Sequence, residues 1–151
     1  MALCAGRLDP TKPNDVLFIG SRTNLLAYGI LHMALYTPLD VDNNRDIFDK
    51  EVSDGVSCLA FGGGRGETSS PDDESTAESL IVAGGNCSIT GFDIAGDERF
   101  WTVTGDNAAT LQYMDWDDDG VDELVVGSDD FSIRVFKGEE MIFDINEQSK
   151  I

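Results

Sequence analysis

The sequence is poor in residue types that mark several classes of protein. It has three cysteines, four prolines and one histidine in 151 residues. Three widely spaced cysteines fit neither a disulfide framework nor a zinc-site spacing, so reduced thiols are expected. The apolar stretches are far too short to cross a bilayer, and the first residues lack the apolar segment of a signal peptide. We therefore expect a cytoplasmic chain without direct membrane insertion.

Basic residues are also scarce. Ten lysines and arginines face 29 aspartates and glutamates, which gives a net charge of −19. Such a surface repels polyanions, so nucleic acid is not an expected partner. The charge is explained first by a need for solubility, and the alternative is complementarity to a basic protein or to cations.

Short segments of alternating polar and apolar residues fill the chain, separated by Gly, Asp, Asn and Ser. No stretch has the sustained period of a helix, so the pattern predicts an all-β protein. The predicted strands are residues 16–20, 24–28, 47–52, 56–61, 80–84, 88–93, 99–104, 110–114, 123–127, 132–136 and 141–145.

An internal repeat organises these strands. Three hairpins, at residues 17–28, 81–92 and 124–136, read almost alike, and the third has one extra residue in its turn. In each, the first strand ends on a glycine, Gly20, Gly84 or Gly127, which we expect to turn the chain through a positive φ.

A second pattern alternates with the first, because residues 48–61 resemble residues 100–113. Val52 and Val103 are then equivalent and lie 51 residues apart, and Gly84 and Gly127 lie 43 apart. Both spacings are close to the roughly 40–50 residues of a four-stranded propeller blade. The expected fold is an all-β propeller with about three four-stranded antiparallel blades. A closed propeller takes about four to eight blades, so residues 1–151 are expected to form a partial one, with loop insertions at 29–41 and 62–79.

The sharpest local motif is an acidic turn at residues 115–123. Its candidate calcium ligands are the carboxylates of Asp115, Asp117, Asp119 and Glu123 and the carbonyl of Val121. Calcium takes six to eight oxygen ligands, which these residues and water can supply.

Two interpretations of this turn stay open. Counting from Asp115, the twelfth position is Val126 where an EF-hand has glutamate, so the turn resembles instead the FG-GAP loop of integrin-type propellers. The alternative is an ordinary polar turn made acidic for solubility.

Catalytic motifs do not emerge from the sequence. Residues 62–69 are glycine-rich but lack the Gly-Lys-Ser/Thr ending of a phosphate loop, and His32 has no nucleophile or carboxylate placed beside it by a motif. We expect a protein that is not an enzyme and that requires no cofactor.

Several apolar side chains are expected in the core rather than at a binding site. Phe100 and Trp101 are predicted to pack between blades, and Cys58 and Cys87 to serve as small core residues.

Four segments, residues 20–28, 84–92, 100–107 and 123–136, closely resemble the Bardet-Biedl syndrome 2 family of BBSome subunits. The run Phe-Trp-Thr-Val-Thr-Gly-Asp-Asn at 100–107 is the most distinctive. The resemblance implies a non-catalytic scaffold of the BBSome, which acts in ciliary membrane-protein trafficking and cilium assembly, with subunits 7 and 9 as partners.

It also implies a location at the cilium and the ciliary basal body, with association to the ciliary membrane through the complex. The alternative function is a calcium-binding propeller of the FG-GAP type with an adhesion or hydrolase role.

Overall fold

The computed structural model describes residues 1–7, 15–29, 46–63 and 79–146, and every regular element in them is a β-strand. The all-β prediction is therefore confirmed. No described helix is long and apolar enough to span a membrane. The strands are β1 (Ala2–Gly6), β2 (Val16–Gly20), β3 (Asn24–Gly29), β4 (Asp46–Glu51), β5 (Cys58–Gly62), β6 (Leu80–Gly84), β7 (Ser88–Phe92), β8 (Glu98–Val103), β9 (Ala108–Met114), β10 (Glu123–Ser128), β11 (Ser132–Lys137) and β12 (Glu140–Asn146).

The strands form three antiparallel sheets of four, each built from consecutive strands. Blade 1 contains β1–β4, blade 2 contains β5–β8 and blade 3 contains β9–β12, so the three-blade prediction is confirmed. Gly29 ends β3 and Gly62 ends β5. Residues 30–45 and 64–78 lie outside the described residues, so the two loop insertions stay predictions.

Strand β1 was not predicted. Its residues alternate between half-buried and exposed, and the side chains facing the core are as small as Ala2 and Cys4. Leu3, the largest side chain of the strand, is exposed. A strand of small inward residues carries little hydrophobic signal, which is why the alternation was missed.

Two apolar cores lie between the blades. The core between blades 1 and 2 draws on both sheets, with Phe18, Leu25, Phe48, Val56, Ile81, Ala83 and Phe92 among its members. The core between blades 2 and 3 includes Val82, Ile89, Phe100, Leu111, Leu124, Val126 and Phe136. Successive residues of β6 enter opposite cores, because side chains alternate across a strand.

The first strands of the blades approach each other closely, β1 against β5 and β5 against β9. An aromatic ring of one strand lies on a glycine of the preceding first strand. A Cβ at Gly6 would lie 2.1 Å from the Phe61 ring, and one at Gly62 would lie 2.8 Å from the Tyr113 ring. At both contacts between first strands, the repeat thus places a glycine against an aromatic ring of the next blade.

The glycines that end the repeated hairpin strands have a different role from the predicted one. The described residues with positive φ do not include Gly20, Gly84 or Gly127. A Cβ at Gly20 would instead lie 2.3 Å from Val56 Cγ1, and one at Gly84 would lie 2.8 Å from Ala108 Cβ. The prediction of a positive φ is wrong, because these positions require glycine for close approach between strands.

The proposed equivalence of Val52 and Val103 is also off by one residue. The Val52 N–H donates to Thr23 O at 2.7 Å, and the Thr104 N–H donates to Cys87 O at 2.9 Å in the same place of the next blade. Thr104 is therefore the counterpart of Val52, and it is buried like Val52.

The connections of the blades fall on two rims. The turns β2–β3, β6–β7 and β10–β11 and the links between blades lie on one rim, which we call the short-turn rim. The other rim carries the links β5–β6, β7–β8, β9–β10 and β3–β4. The end of β3, the end of β5 and the acidic turn lie at this second rim, which we call the long-loop rim.

Candidate functional site

The acidic turn at residues 115–123 links β9 to the start of β10. Hydrogen bonds from its backbone N–H groups to its own carboxylates hold it in shape. The Asp119 N–H donates to Asp115 Oδ1 at 3.1 Å, and the Gly120 N–H donates to Asp115 Oδ2 at 2.9 Å. The Val121 N–H donates to Asp119 Oδ1 at 2.8 Å. Asp118 and Gly120 have positive φ, which lets the chain reverse within so few residues.

The turn is anchored to the sheet at two points. Glu123, the first residue of β10, is only 1% exposed, and its Oε2 accepts the Trp116 N–H at 2.9 Å. The Trp116 ring packs on Phe143 of β12 with ring centroids 5.1 Å apart. The ends of the turn are therefore fixed relative to blade 3.

A lysine from β11 is the cation of this site. Lys137 Nζ donates to Asp117 Oδ2 at 3.0 Å and to Asp119 Oδ2, and it lies 3.1 Å from Glu123 Oε1. The Glu123 contact is an ion pair whose geometry is not that of a hydrogen bond, so within the described residues that buried oxygen is satisfied by charge alone.

The electrostatics of the site follow from this geometry. Hydrogen bonds to Asp119 and Asp117, together with the ion pair with Glu123, raise the pKa of the Lys137 ammonium above its ordinary value. The hydrogen bond from Lys137 in turn lowers the pKa of Asp119 below its ordinary value. Asp119 and the Lys137 ammonium are thus both charged at neutral pH.

The predicted calcium ligands are partly brought together. Carboxylate oxygens of Asp115, Asp117 and Glu123 lie within 4.8 Å of one another, and Asp119 is not part of that group. Val121 contacts the turn through its N–H, whereas calcium would need its carbonyl. The calcium assignment stays a prediction.

Lys137 is the functional residue that sequence reasoning missed. Leu124 of β10 pairs with Phe136 of β11, so Glu123 and Lys137 are the next pair along the hairpin. The repeated hairpin at residues 124–136 had already aligned these strands. Extending that alignment by one residue would have found the ion pair.

A second surface feature lies on β8, the outermost strand of blade 2. Phe100 is buried as predicted, and Gly91 gives it space, since a Cβ there would lie 2.2 Å from its ring. Trp101 is 53% exposed and Val103 is 60% exposed. The prediction that Trp101 packs between blades is wrong, because Trp101 lies on the opposite face of an outer strand from Phe100.

The outer edge of blade 2 is chemically unlike the outer edge of blade 1. The sequence of β4, Asp-Ile-Phe-Asp-Lys-Glu, is charged at most positions, whereas β8 reads Glu-Arg-Phe-Trp-Thr-Val with both charges at its start. Charges on an edge strand discourage pairing with other chains. The second half of β8 has no such protection.

The two predicted core cysteines differ from each other. Cys58 is half-buried, and burial raises the pKa of its thiol to about 11, which keeps it protonated and unreactive. Cys87 is exposed on a short turn with φ of 58°, so its core assignment is wrong. His32 and nearly all of the glycine-rich segment at 62–69 lie outside the described residues.

Comparison with known proteins identifies the family. Residues 1–62 match the family model "Ciliary BBSome complex subunit 2, N-terminal", and residues 110–151 match "Ciliary BBSome complex subunit 2, middle region". The chain is 43% identical over 149 residues to the BBSome complex member BBS2 of Danio rerio. This alignment covers 99% of this chain and 18% of that protein. It is 44% identical over 145 residues to the BBSome complex member BBS2 of Homo sapiens, and this alignment covers 96% of this chain and 17% of that protein.

The fold is also found among solved structures. The crystal structure of BBS1N in complex with ARL6DN aligns with a TM-score of 0.63 at 15% identity, over 98% of this chain and 40% of that chain. This likeness supports the propeller architecture. The chain spans less than a fifth of the length of the curated relatives that it matches, and it belongs to the BBSome complex subunit 2 family.

Proposed function

We propose that this chain is a non-catalytic scaffold within a BBSome, acting in ciliary membrane-protein trafficking and cilium assembly. The observation that carries the proposal is the pair of matches to the N-terminal and middle models of BBSome complex subunit 2. Its neighbours in the assembly are the other BBSome subunits, with subunits 7 and 9 as the first candidates. Its place is the cytoplasm, the cilium and the ciliary basal body.

The outer edge of blade 2 is the contact surface that we assign to this role. Trp101 and Val103 project from β8, the last strand in the order of the blade 2 sheet. Tryptophan is enriched among the residues that dominate binding energies, and the uncharged second half of an edge strand can pair with a strand of another protein. Apolar anchors and backbone pairing are typical of a scaffold contact.

The acidic surface favours partners with a basic face. With 29 acidic and 10 basic residues, the potential around the chain attracts cationic surfaces and speeds their encounter at low salt. Asp118 and Asp122 of the acidic turn add to this potential on the long-loop rim. We therefore expect association rates with partner subunits to fall as salt is raised.

The alternative, a calcium-dependent propeller with an adhesion or hydrolase role, is not favoured. Both matched family models and the similar proteins named above are described as BBSome components. The acidic turn that motivated the alternative has a lysine against three of its carboxylates. The scaffold role accounts for the family match without requiring a metal.

A binding experiment with purified BBSome subunits 7 and 9 tests the proposal. We expect the wild-type chain to bind at least one of them, and Trp101→Ala to weaken that binding at least tenfold, which is about 1.4 kcal/mol. Trp116→Ala is the matched control, since it removes a similarly exposed tryptophan from the acidic turn.

The outcomes test the scaffold role and the β8 contact surface separately. If the wild-type chain binds neither subunit, the scaffold role with these partners is contradicted. If the wild-type chain binds and Trp101→Ala binds with the same affinity, the scaffold role stands and the β8 edge is not the contact surface.

A further inference from the structure

The acidic turn raises a question that its sequence motif does not answer. FG-GAP-like loops bind calcium through carboxylates, yet four carboxylates of this turn already have partners within the chain. Asp115 accepts two backbone N–H groups, and Glu123 Oε2 accepts a third. The oxygens left to face a cation are Asp117 Oδ2, Asp119 Oδ2 and Glu123 Oε1.

Those three oxygens all face the same ammonium group. Lys137 Nζ lies 3.0 Å from Asp117 Oδ2 and 3.1 Å from Glu123 Oε1, and it also contacts Asp119 Oδ2. An ammonium is a donor only and carries a positive charge, so it suits converging carboxylate oxygens. Asp117 and Asp119 accept hydrogen bonds from it, and Glu123 Oε1 is paired with its charge. A divalent ion bound to these oxygens would lie against the same positive charge.

The second observation is the burial of Glu123. Its side chain is 0% exposed, whereas Asp117 and Asp119 are each about 40% exposed. A buried ionised carboxylate is stabilised by a nearby opposite charge, because an unpaired charge in the interior is strongly destabilising. A cation that arrives from solvent would leave Glu123 unpaired whenever it dissociated, and a lysine in the adjacent strand does not dissociate.

We propose that Lys137 is the resident cation of the acidic turn, occupying the position that a divalent metal ion would otherwise take. The turn is then rigid without calcium, and it links β9, β10 and β11 at the long-loop rim through the chain's own charges. Its outer carboxylates remain available to basic partners. Removing the ammonium converts the turn into a cation-binding site.

Calcium binding to three purified proteins tests this proposal. We expect the wild-type chain to bind calcium no more tightly than about 1 mM, the weak end of protein calcium sites. Lys137→Met should bind at least tenfold more tightly, because it leaves three converging carboxylate oxygens without a cation. Isothermal titration calorimetry in buffered salt measures both values.

Lys50→Met is the matched control. Lys50 is 40% exposed, as Lys137 is, and its partner Asp97 lies outside the turn. It changes the net charge equally and should bind calcium as weakly as wild type. The proposal is overturned if wild type binds as tightly as Lys137→Met, or if folded Lys137→Met shows no gain over Lys50→Met.

A measurement on the wild-type chain keeps the proposal testable if Lys137→Met does not fold. Acylation of lysines by an amine-reactive ester, followed by mass spectrometry, compares Lys137 with Lys50. Their equal exposure alone predicts equal rates, whereas the three carboxylate contacts predict several-fold slower reaction at Lys137. Equal rates, or loss of the protection at about 1 mM calcium, would contradict a resident lysine.

Discussion

Two parts of the molecule hold neighbouring strands together by different means. Between blades 1 and 2, Phe18 is completely buried and its ring stacks on Phe61 at a centroid distance of 5.6 Å. At the acidic turn, Lys137 is 40% exposed and holds the strands by charge. Apolar contacts of the first kind carry no charge and are not screened by salt, whereas ion pairs of the second kind are.

The difference explains where the chain has room for function. The inter-blade cores require glycine at close approaches and tolerate little change in volume. The acidic turn and the β8 edge project from that framework and present charge and exposed apolar area. A rigid interior thus supports two surfaces of distinct chemistry on one fold.

The largest expected effect comes from the core. Phe18→Ala should lower the free energy of unfolding by about 3–5 kcal/mol, because it removes a buried ring and leaves a cavity between the blades. Phe131→Ala is the control, since that side chain is 76% exposed on a turn. Urea unfolding at low and high salt measures both. A loss at Phe18 that depended strongly on salt would contradict a purely apolar contact between blades 1 and 2.

A smaller effect is expected at the close approaches. Gly84→Ala should cost about 1–3 kcal/mol, because its Cβ would lie 2.7 Å from Cys58 Sγ and 2.8 Å from Ala108 Cβ. Gly127→Ala should cost less, since the nearest atom is the Thr110 Cγ2 methyl at 2.9 Å. Thermal unfolding ranks the two variants.

A double variant separates steric crowding from backbone conformation at these glycines. Adding Thr110→Ser to Gly127→Ala removes the crowded methyl and should restore most of the lost stability. If the double variant is no more stable than Gly127→Ala, backbone conformation and not close approach explains the glycine.

The smallest effect in this series is expected at a charged turn of the long-loop rim. Burial raises the pKa of Asp93, but the N–H groups of Asp97 and Ala95 and the guanidinium of Arg99 outweigh it, so the net pKa is below the ordinary 3.8. A carboxylate whose pKa is lowered by folding stabilises the folded state at any pH above its unfolded-state pKa. That contribution is lost as the pH falls through its folded-state pKa. Asp93→Asn should therefore cost about 1 kcal/mol at pH 7.

The pH dependence distinguishes this site from the core variants. The stability gap between wild type and Asp93→Asn should close as pH falls below about 4, whereas the gap for Phe18→Ala should stay constant. Glu139→Gln at the exposed β11–β12 turn is the control for removing one acidic charge. Urea unfolding between pH 7 and the acid limit measures the gaps, and a constant gap for Asp93→Asn would contradict the assigned charge interactions.

Much of the fold was predictable because its signals are local. The alternation in residues 81–92 and 124–136 predicted two hairpins that the structure contains, with strand ends within a residue or two. The acidic turn was also located correctly between β9 and β10. The signal failed at β1, where small inward side chains give little contrast between the two faces of the strand.

The candidate site was less predictable, since it depends on residues far apart in the chain. The motif supplied the carboxylates of Asp117, Asp119 and Glu123, but their cation is Lys137, 14–20 residues further along. The exposure of Trp101 was missed for a related reason. Alternation separates its face from that of Phe100, but only the position of β8 at the outer edge of blade 2 leaves that face exposed among the described residues.

The sequence by itself determined the all-β class, the three-fold repeat of four strands and the family, because alternation, repeat length and motifs are properties of consecutive residues. Only the tertiary structure decided which glycines serve close approach, which aromatic side chain is exposed and which charge faces the acidic turn. Those properties depend on distances between strands that hydrogen bonding and inter-blade packing bring together, and no local pattern encodes such distances.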